Sequence, residues 1–276
     1  GILGSGIIGM ELGQALSRLQ VEVSIYNRGD TLVGIRDPKV LQEAWKVFKE
    51  ELDIYGKTQT QLARSDGGKI KVRYIQAGQP RVQDKEFDVI LAAIGRKPNI
   101  EHLDLGTTGM ELDHSGVPIY NPVTQQTSIP HIFIAGDARG GLLELHMASD
   151  EGHTAGMNAA SYPEVKPGLR RSRLSIAFTN PQIMMVGSSF NALDEGSIVI
   201  GEVSFRNQGR SRVMLKNKGL LRTYFDKKTR LLLGAEGIGP DLEHLGHLLA
   251  WAHQSRLTAD EMPVSYTHLT LPTNRE

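Results

Sequence analysis

The chain has 276 residues, enough for two domains with cores of their own. Lysine plus arginine and aspartate plus glutamate both number 31, so the net charge is zero and no global field draws in nucleic acid or an anionic membrane. No run approaches the ~18 apolar residues of a membrane span, and cysteine is absent, so these residues hold neither a disulfide nor a thiolate nucleophile. That usage is compatible with a reducing cytosol, and a cytoplasmic location is expected.

Gly1-Ile2-Leu3 reads as the end of a strand and runs straight into Gly4-Ser5-Gly6-Ile7-Ile8-Gly9, a GxGxxG run. From Ile8, apolar residues recur at Leu12, Ala15, Leu16 and Leu19, the period of a helix. Val21, Val23 and Ile25 alternate as a strand, so the chain opens as a βαβ unit. A helix is expected from Val40 to Leu52 and a strand from Ile70 to Tyr74, with a turn at Gly78-Gln79-Pro80. Phe87 to Ile94 is a nearly continuous apolar run, expected as one strand covered on both faces. After Gly95-Arg96-Lys97-Pro98-Asn99, Ile132 to Ala135 reads as another buried strand, ending in Gly136-Asp137, and Leu145 to Ala160 as a helix. Pro163 and Pro167-Gly168 mark a boundary. Beyond it, Ile198–Phe205, Arg212–Leu215, Leu220–Phe225 and Leu231–Ala235 read as antiparallel strands, with turns at Lys218-Gly219 and Asp226-Lys227. Leu242, Leu245, Leu249 and Ala252 mark one face of a last helix.

A GxGxxG run is weak evidence alone. Here it lies between a strand and a helix, with a second strand ending about 20 residues on, which is the context a dinucleotide site needs. The first glycine permits the tight turn, the second admits a pyrophosphate, and the third lets helix and strand pack closely. The helix start offers N–H donors to the phosphates. An acid at the end of the second strand would bond the adenosine ribose diol and repel a 2′-phosphate. This chain has Asn27 and then Arg28. Asn27 can bond the diol but repels nothing. Arg28 either pairs with a phosphate or is a solvated surface residue, so specificity is read as relaxed or leaning to NADP.

Several ordered motifs then carry a resemblance. Thr127 to Asp137 is similar to the second FAD fingerprint of the pyridine nucleotide-disulfide oxidoreductases, and Ala93 to Asn99 resembles their link between nicotinamide and flavin domains. Thr179-Asn180-Pro181-Gln182-Ile183, Val186-Gly187, Gly209-Arg210-Ser211-Arg212 and Leu233-Gly234-Ala235 resemble their dimerisation domain, in the right order. The likeness covers residues 1 to about 263 and is nearest to the dihydrolipoamide dehydrogenase branch. It implies an α/β chain with three parts: a doubly wound NAD(P)-binding domain at 1–98, the C-terminal part of an FAD-binding domain at 99–167, and an α+β dimerisation domain at 168–263. It also implies a homodimeric oxidoreductase that passes electrons between a dithiol, small or on a lipoyl domain, and NAD(P) through FAD and a disulfide. A glutathione reductase-like enzyme and a soluble pyridine nucleotide transhydrogenase stay open. So does a non-catalytic nucleotide-binding fragment, which suits the polypeptide as written.

By the same resemblance, Gly4, Ser5, Gly6, Ile7, Ile8, Gly9 and Met10 belong to the NAD(P) turn, Glu11 to the nicotinamide end, Asn27 and Arg28 to the adenosine ribose, and Gly95 to the link. Asp137 matches the carboxylate that bonds an FAD ribitol hydroxyl. Leu143, Glu144, Leu145 and His146 stand where the family approaches the flavin, and three of the four differ from its usual Met-Leu-Ala-His. Its CxxxxC disulfide and FAD pyrophosphate turn would precede residue 1, and its His-Glu base would follow Pro263. No residue here is read as catalytic. Residues 264–276 resemble a translated sequencing adapter, so a non-native tail is expected and His268 is given no role. His244 and His247, three apart beside Glu243, are read as the polar side of a helix, and no metal site is expected.

Overall fold

The computed structural model describes residues 1–65, 67–79, 81–141 and 144–262. They form two compact units. Residues 1–95, together with those described from 172 onward, make the first, and residues 96–171 the second. The expected tail at 264–276 lies outside the described residues.

The first part of unit one runs β1 (Ile2–Leu3), α1 (Ile7–Arg18), β2 (Ser24–Tyr26), α2 (Pro38–Phe48), β3 (Asp53–Tyr55), β4 (Thr58–Arg64), β5 (Ile70–Gln76), β6 (Gln83–Phe87) and β7 (Leu91–Ala92). A parallel sheet takes the order β3-β2-β1-β7, so the winding reverses beside β1. Ligands of open α/β sheets bind outside the carboxyl ends of the strands at such a reversal. Parallel neighbours need long crossovers. Helices α1 and α2 supply two of them, and the antiparallel sheet β4-β5-β6 stands in the third.

Sequence and structure part here in several places: β3, β4 and β6 were not expected, and α2 ends at Phe48 rather than Leu52. The strand expected over Val21–Ile25 is only β2, whose three residues are all buried, while Val21 is exposed. Helix α2 starts earlier than expected, because Pro38 occupies its first turn and the Asp37 carboxylate accepts from Lys39 N–H at 2.9 Å and Val40 N–H at 3.2 Å. The apolar run Phe87–Ile94 is not one strand. Phe87 pairs with Ile70 in the antiparallel sheet and Leu91 with Ile2 in the parallel one, so the chain changes sheets between them.

Unit two is mostly turns and three-residue to four-residue 3₁₀ segments, with one long helix, α3 (Leu145–Ser161). The strand expected over Ile132–Ala135 is a single antiparallel bridge, Gln126 to Phe133. Its apolar residues stay half-exposed because no further strand flanks it among the described residues. Asn158 holds this unit together, donating from Nδ2 to Thr124 O and Lys166 O and accepting from Lys166 N–H, all at 2.8–2.9 Å.

Unit one resumes with β8 (Leu174–Ala177), β9 (Gln182–Gly187), β10 (Ile198–Ser204), α4 (Gly209–Val213), β11 (Leu220–Asp226), β12 (Leu232–Gly239) and α5 (Leu242–Gln254). The strands form an antiparallel sheet in the order β10-β11-β12-β9-β8. The strand expected at Arg212–Leu215 is instead helix α4 and its exit. The Gln208 side chain accepts from Ser211 N–H at 2.6 Å, and Leu215 sits at φ +55°. Helix α5 covers one face of the sheet through Leu242, Leu249, Ala250 and Ala252, which cluster with Leu174, Met184, Val186 and Leu232. The other face joins the nucleotide half. Ala177, Ile183, Met185 and Ile238 share one core with Ile2, Met10, Ile25, Val40 and Phe48. Among the described residues, no helix is long and apolar enough to cross a membrane.

Behind that core lies a buried polar cluster. Asp37 is fully buried and accepts from Arg222 Nη1 at 2.5 Å and Tyr224 OH at 3.0 Å. Glu236, 1% exposed, accepts from the N–H groups of Arg36, Asp37 and Phe190 at 2.7, 2.9 and 2.8 Å. Every carboxylate oxygen in it is satisfied, as burial of charge demands.

Candidate functional site

The glycine turn lies at the carboxyl end of β1, in the reversal of the parallel sheet. Leu3 pairs with Tyr26, and Gly4 N–H donates to Tyr26 O at 2.8 Å. Gly4 has φ +103°, and a Cβ there would strike the Ala93 carbonyl at the end of β7. A Cβ on Gly9 would strike the Gly4 carbonyl. These two glycines let strand, turn and helix close on one another. Gly6 differs. It has φ −71° as the residue preceding α1, and nothing lies within 4 Å of where its Cβ would be.

The first intrahelical bond of α1 runs from Met10 N–H to Gly6 O at 3.0 Å. The N–H groups of Ile7, Ile8 and Gly9 therefore lack helical acceptors. No side chain caps them, and no acid sits in the first turn. An open backbone beside an uncapped helix start fits a pyrophosphate, by partial positive charge and by room for close approach.

A loop from Asn27 to Arg36 forms the rim of this turn. Ser5 Oγ donates to Thr31 O at 2.9 Å, and Val33 N–H donates to Ser5 O at 2.8 Å. Asn27 spends its amide nitrogen on Gly29 O at 3.1 Å and Thr31 O at 2.8 Å. Asp30 is paired with Lys57 at 3.1 Å, which lowers its carboxyl below the usual range. Arg28 is exposed. Gly95, at φ +116°, stands open just past β7.

The remaining nucleotide-side candidates are partly committed elsewhere. Met10 is fully buried in the core, so its side chain faces away from any ligand. Ser5 is buried and acts as a brace, while Ile8 is exposed and Ile7 packs on the core. Glu11 accepts from Phe178 N–H at 2.7 Å. Next to it, buried Gln14 accepts from Asn180 N–H at 2.7 Å and donates to Asn180 O at 2.8 Å. Nothing in the local sequence announced these long-range bonds.

In unit two, Asp137 is exposed within the Gly136–Arg139 turn. Glu151, missed by the sequence reading, fixes this turn: its Oε2 accepts from Gly136 N–H at 2.9 Å and Arg139 Nε at 2.7 Å. Glu144 precedes α3 and pairs with His146 at 3.3 Å, while Leu145 is 88% exposed. Leu143 lies outside the described residues. Among these groups the exposed Asp137 carboxylate offers an acceptor of the kind a flavin ribitol hydroxyl would need. The groups do not fit the FAD pyrophosphate, because the one GxGxxG run of the sequence belongs to the parallel sheet of unit one.

Comparison with known proteins agrees with this layout. Residues 1–152 match the family described as pyridine nucleotide-disulphide oxidoreductase, and residues 174–276 match its dimerisation domain. A dihydrolipoyl dehydrogenase of Bacillus subtilis is 30% identical over 264 residues, covering 94% of this chain and 56% of that protein. A dihydrolipoamide dehydrogenase of Chaetomium thermophilum is 32% identical, covering 87% of this chain and 48% of that one. The chain thus spans about half the length of the curated relatives it matches. Among solved structures, LpdA of Mycobacterium tuberculosis superposes with a TM-score of 0.79 at 23% identity, over 96% of this chain and 57% of that one. The flavoprotein disulfide reductase RclA of Escherichia coli does so with 0.79 at 20%, over 96% and 61%. At those identities the superpositions speak to the fold.

Proposed function

The chain belongs to the pyridine nucleotide-disulphide oxidoreductase family, and on that premise we propose that its own residues form the nicotinamide dinucleotide site of a dihydrolipoamide dehydrogenase-like enzyme. Residues 1–98 bind NAD(P), 99–167 complete an FAD-binding domain, and 168–263 serve a homodimer. FAD, when bound, supplies a two-electron relay between a dithiol substrate and the nicotinamide. No cysteine occurs in these 276 residues, so dithiol exchange in the whole protein draws on residues outside them.

The chain's residues bind and orient. Gly6 and the first N–H groups of α1 would hold the pyrophosphate, and Gly4 and Gly9 keep that turn tight against β7. Asn27 and Arg28 would face the adenosine ribose. Asp137 would accept from a ribitol hydroxyl, and the backbone at Glu144–His146 would approach the flavin ring.

The observation that carries this reading is the open space at Gly6 beside an uncapped helix start. It also separates binding from folding. A methyl at Gly6 meets no protein atom and costs less than ~1 kcal/mol as a cap change, but it fills the pyrophosphate space. Gly6→Ala should therefore leave the thermal midpoint nearly unchanged and abolish NAD(P)H binding, read by quenching of protein fluorescence. Gly9→Ala should lower the midpoint as well, because overpacking against Gly4 costs about 1–3 kcal/mol. Undiminished binding in a folded Gly6→Ala variant would refute the site.

A further inference from the structure

We infer that the dinucleotide taken at this site carries a phosphate on its adenosine 2′-oxygen, and that Arg28 selects it. The inference rests on the proposed dinucleotide site and adds its substrate class.

Position comes first. Tyr26 ends β2 and touches the glycine turn directly, through the Gly4 N–H to Tyr26 O bond of 2.8 Å. The residues just after it stand beside that turn, where the second strand of this fold meets the adenosine ribose. An acid there would repel a phosphate. The chain has none: the position is Asn27, whose nitrogen is already spent on Gly29 O and Thr31 O.

Charge comes second. Asp30 is the acid of this loop, and Lys57 neutralises it at 3.1 Å. Arg28 is exposed and makes no hydrogen bond or ion pair among the described residues, although Asp30 is only two positions away. The rim thus presents two uncompensated cations, Arg28 and, at its far end, Arg36, and Arg28 is the one directly after the ribose position. A guanidinium binds phosphate through two parallel N–H donors, a geometry that a ribose hydroxyl cannot match.

Preorganisation comes third. The loop is tied to the turn by the Ser5–Thr31 and Val33–Ser5 bonds. It is tied to its far side by Lys57 N–H to Gly29 O at 2.7 Å and Trp45 Nε1 to Asp30 O at 2.6 Å. Gly29, directly after Arg28, carries no side chain to block the guanidinium. Capturing the phosphate orders one arginine side chain on a backbone that is already fixed.

The test uses the full chain and two small probes, 2′,5′-ADP and 5′-AMP, titrated by calorimetry, with NADPH and NADH as second pair. We expect 2′,5′-ADP to bind about 10- to 150-fold tighter than 5′-AMP, the range for one charge-assisted contact. Arg28→Ala should remove most of that ratio, with a far larger loss for 2′,5′-ADP than for 5′-AMP. Asn27→Glu should reverse the preference between NADPH and NADH. Circular dichroism confirms that each variant is folded. Equal affinities for the two probes, or a ratio that survives Arg28→Ala, would overturn this inference and leave the site standing. Binding of neither probe nor of either dinucleotide would overturn both.

Discussion

Asp37 shows how one side chain can do three jobs. It starts α2, it neutralises buried Arg222, and it receives the hydroxyl of Tyr224. Tyr224 is held neutral, its pKa raised first by burial and then by the charges of Glu236 and Asp37. Removing one partner of a buried ion pair leaves the other charge unpaired and costs about 3–5 kcal/mol. Asp37→Ala should do so in urea denaturation, with the loss of the α2 cap included. Asp37→Ala combined with Arg222→Met should lose less than the sum of the single losses, since the stranded cation is gone. His253 gives a residue-scale pH effect. Its Nδ1 meets Ser172 Oγ at 2.6 Å, and burial lowers its pKa below the ordinary value of 6.5, against an opposing backbone bond to Leu233. The unfolded chain therefore binds a proton at higher pH than the folded one. The neutral ring's contribution is complete above about pH 6.5 and declines as pH falls toward the lower folded value. The thermal midpoint should drop on acidification from pH 7.5 to 5.5, and His253→Gln should flatten part of that slope in differential scanning calorimetry.

At the scale of elements, stability follows how many faces of a strand are covered. Strand β12 lies central in its sheet and is buried along nearly its whole length, with α5 on one face and the shared core on the other. Strand β4 is an edge strand, mostly exposed. Amide hydrogen exchange should be slowest in β12 and its neighbour β9, and orders of magnitude faster in β4, because local opening exposes little there. Matching rates in β4 and β12 would mean the two sheets unfold as one. The same distinction explains what could be read from sequence. Elements with a regular period were legible: α1, α3, α5, β5, β10 and β11, while β12 was expected only as far as Ala235 and runs on to Gly239. The glycine turn was legible too, because its chemistry is local to six residues. What stayed hidden depends on partners far along the chain. Phe87 and Leu91 look like one strand until Ile70 and Ile2 claim them for different sheets. Ile132–Ala135 has strand composition but a single bridge to pair with. Gln208 pulls Arg212 into a helix, which no periodicity records. Glu236 and the Arg36 N–H it accepts lie 200 positions apart.

For the molecule as a whole, the outer face of α5 points to self-association. Leu249 is packed in the core, while Leu248 and Trp251 are 57% and 66% exposed. Large exposed apolar side chains on one helix face mark a contact surface, and the match to a family dimerisation domain makes a second copy the natural occupant. Sedimentation velocity should show a dimer that Trp251→Glu with Leu248→Glu converts to monomer, with the circular dichroism of the native chain. A dimer that survives both charges would place the contact elsewhere. Unit two has a different constraint. Among the described residues, the four apolar clusters all lie in unit one. Ile100, Met110 and Val117 are the buried aliphatic and thioether side chains left to unit two.

The core that joins Ile2 and Met10 to Ile183 and Ile238 has a consequence for how the protein is made. A ribosome delivers the chain from its amino end, so the nucleotide half emerges without the side chains that seal its far side. At about 5–20 residues per second, the interval between residue 95 and residue 238 lasts on the order of ten seconds. Through that interval the first sheet must wait with Val40, Ala44 and Phe48 unsealed, while residues 96–171 pass. The growing polypeptide thus carries an unsealed apolar face by virtue of its connectivity, and a synthesis stalled before β12 would release a half-built core rather than a finished domain.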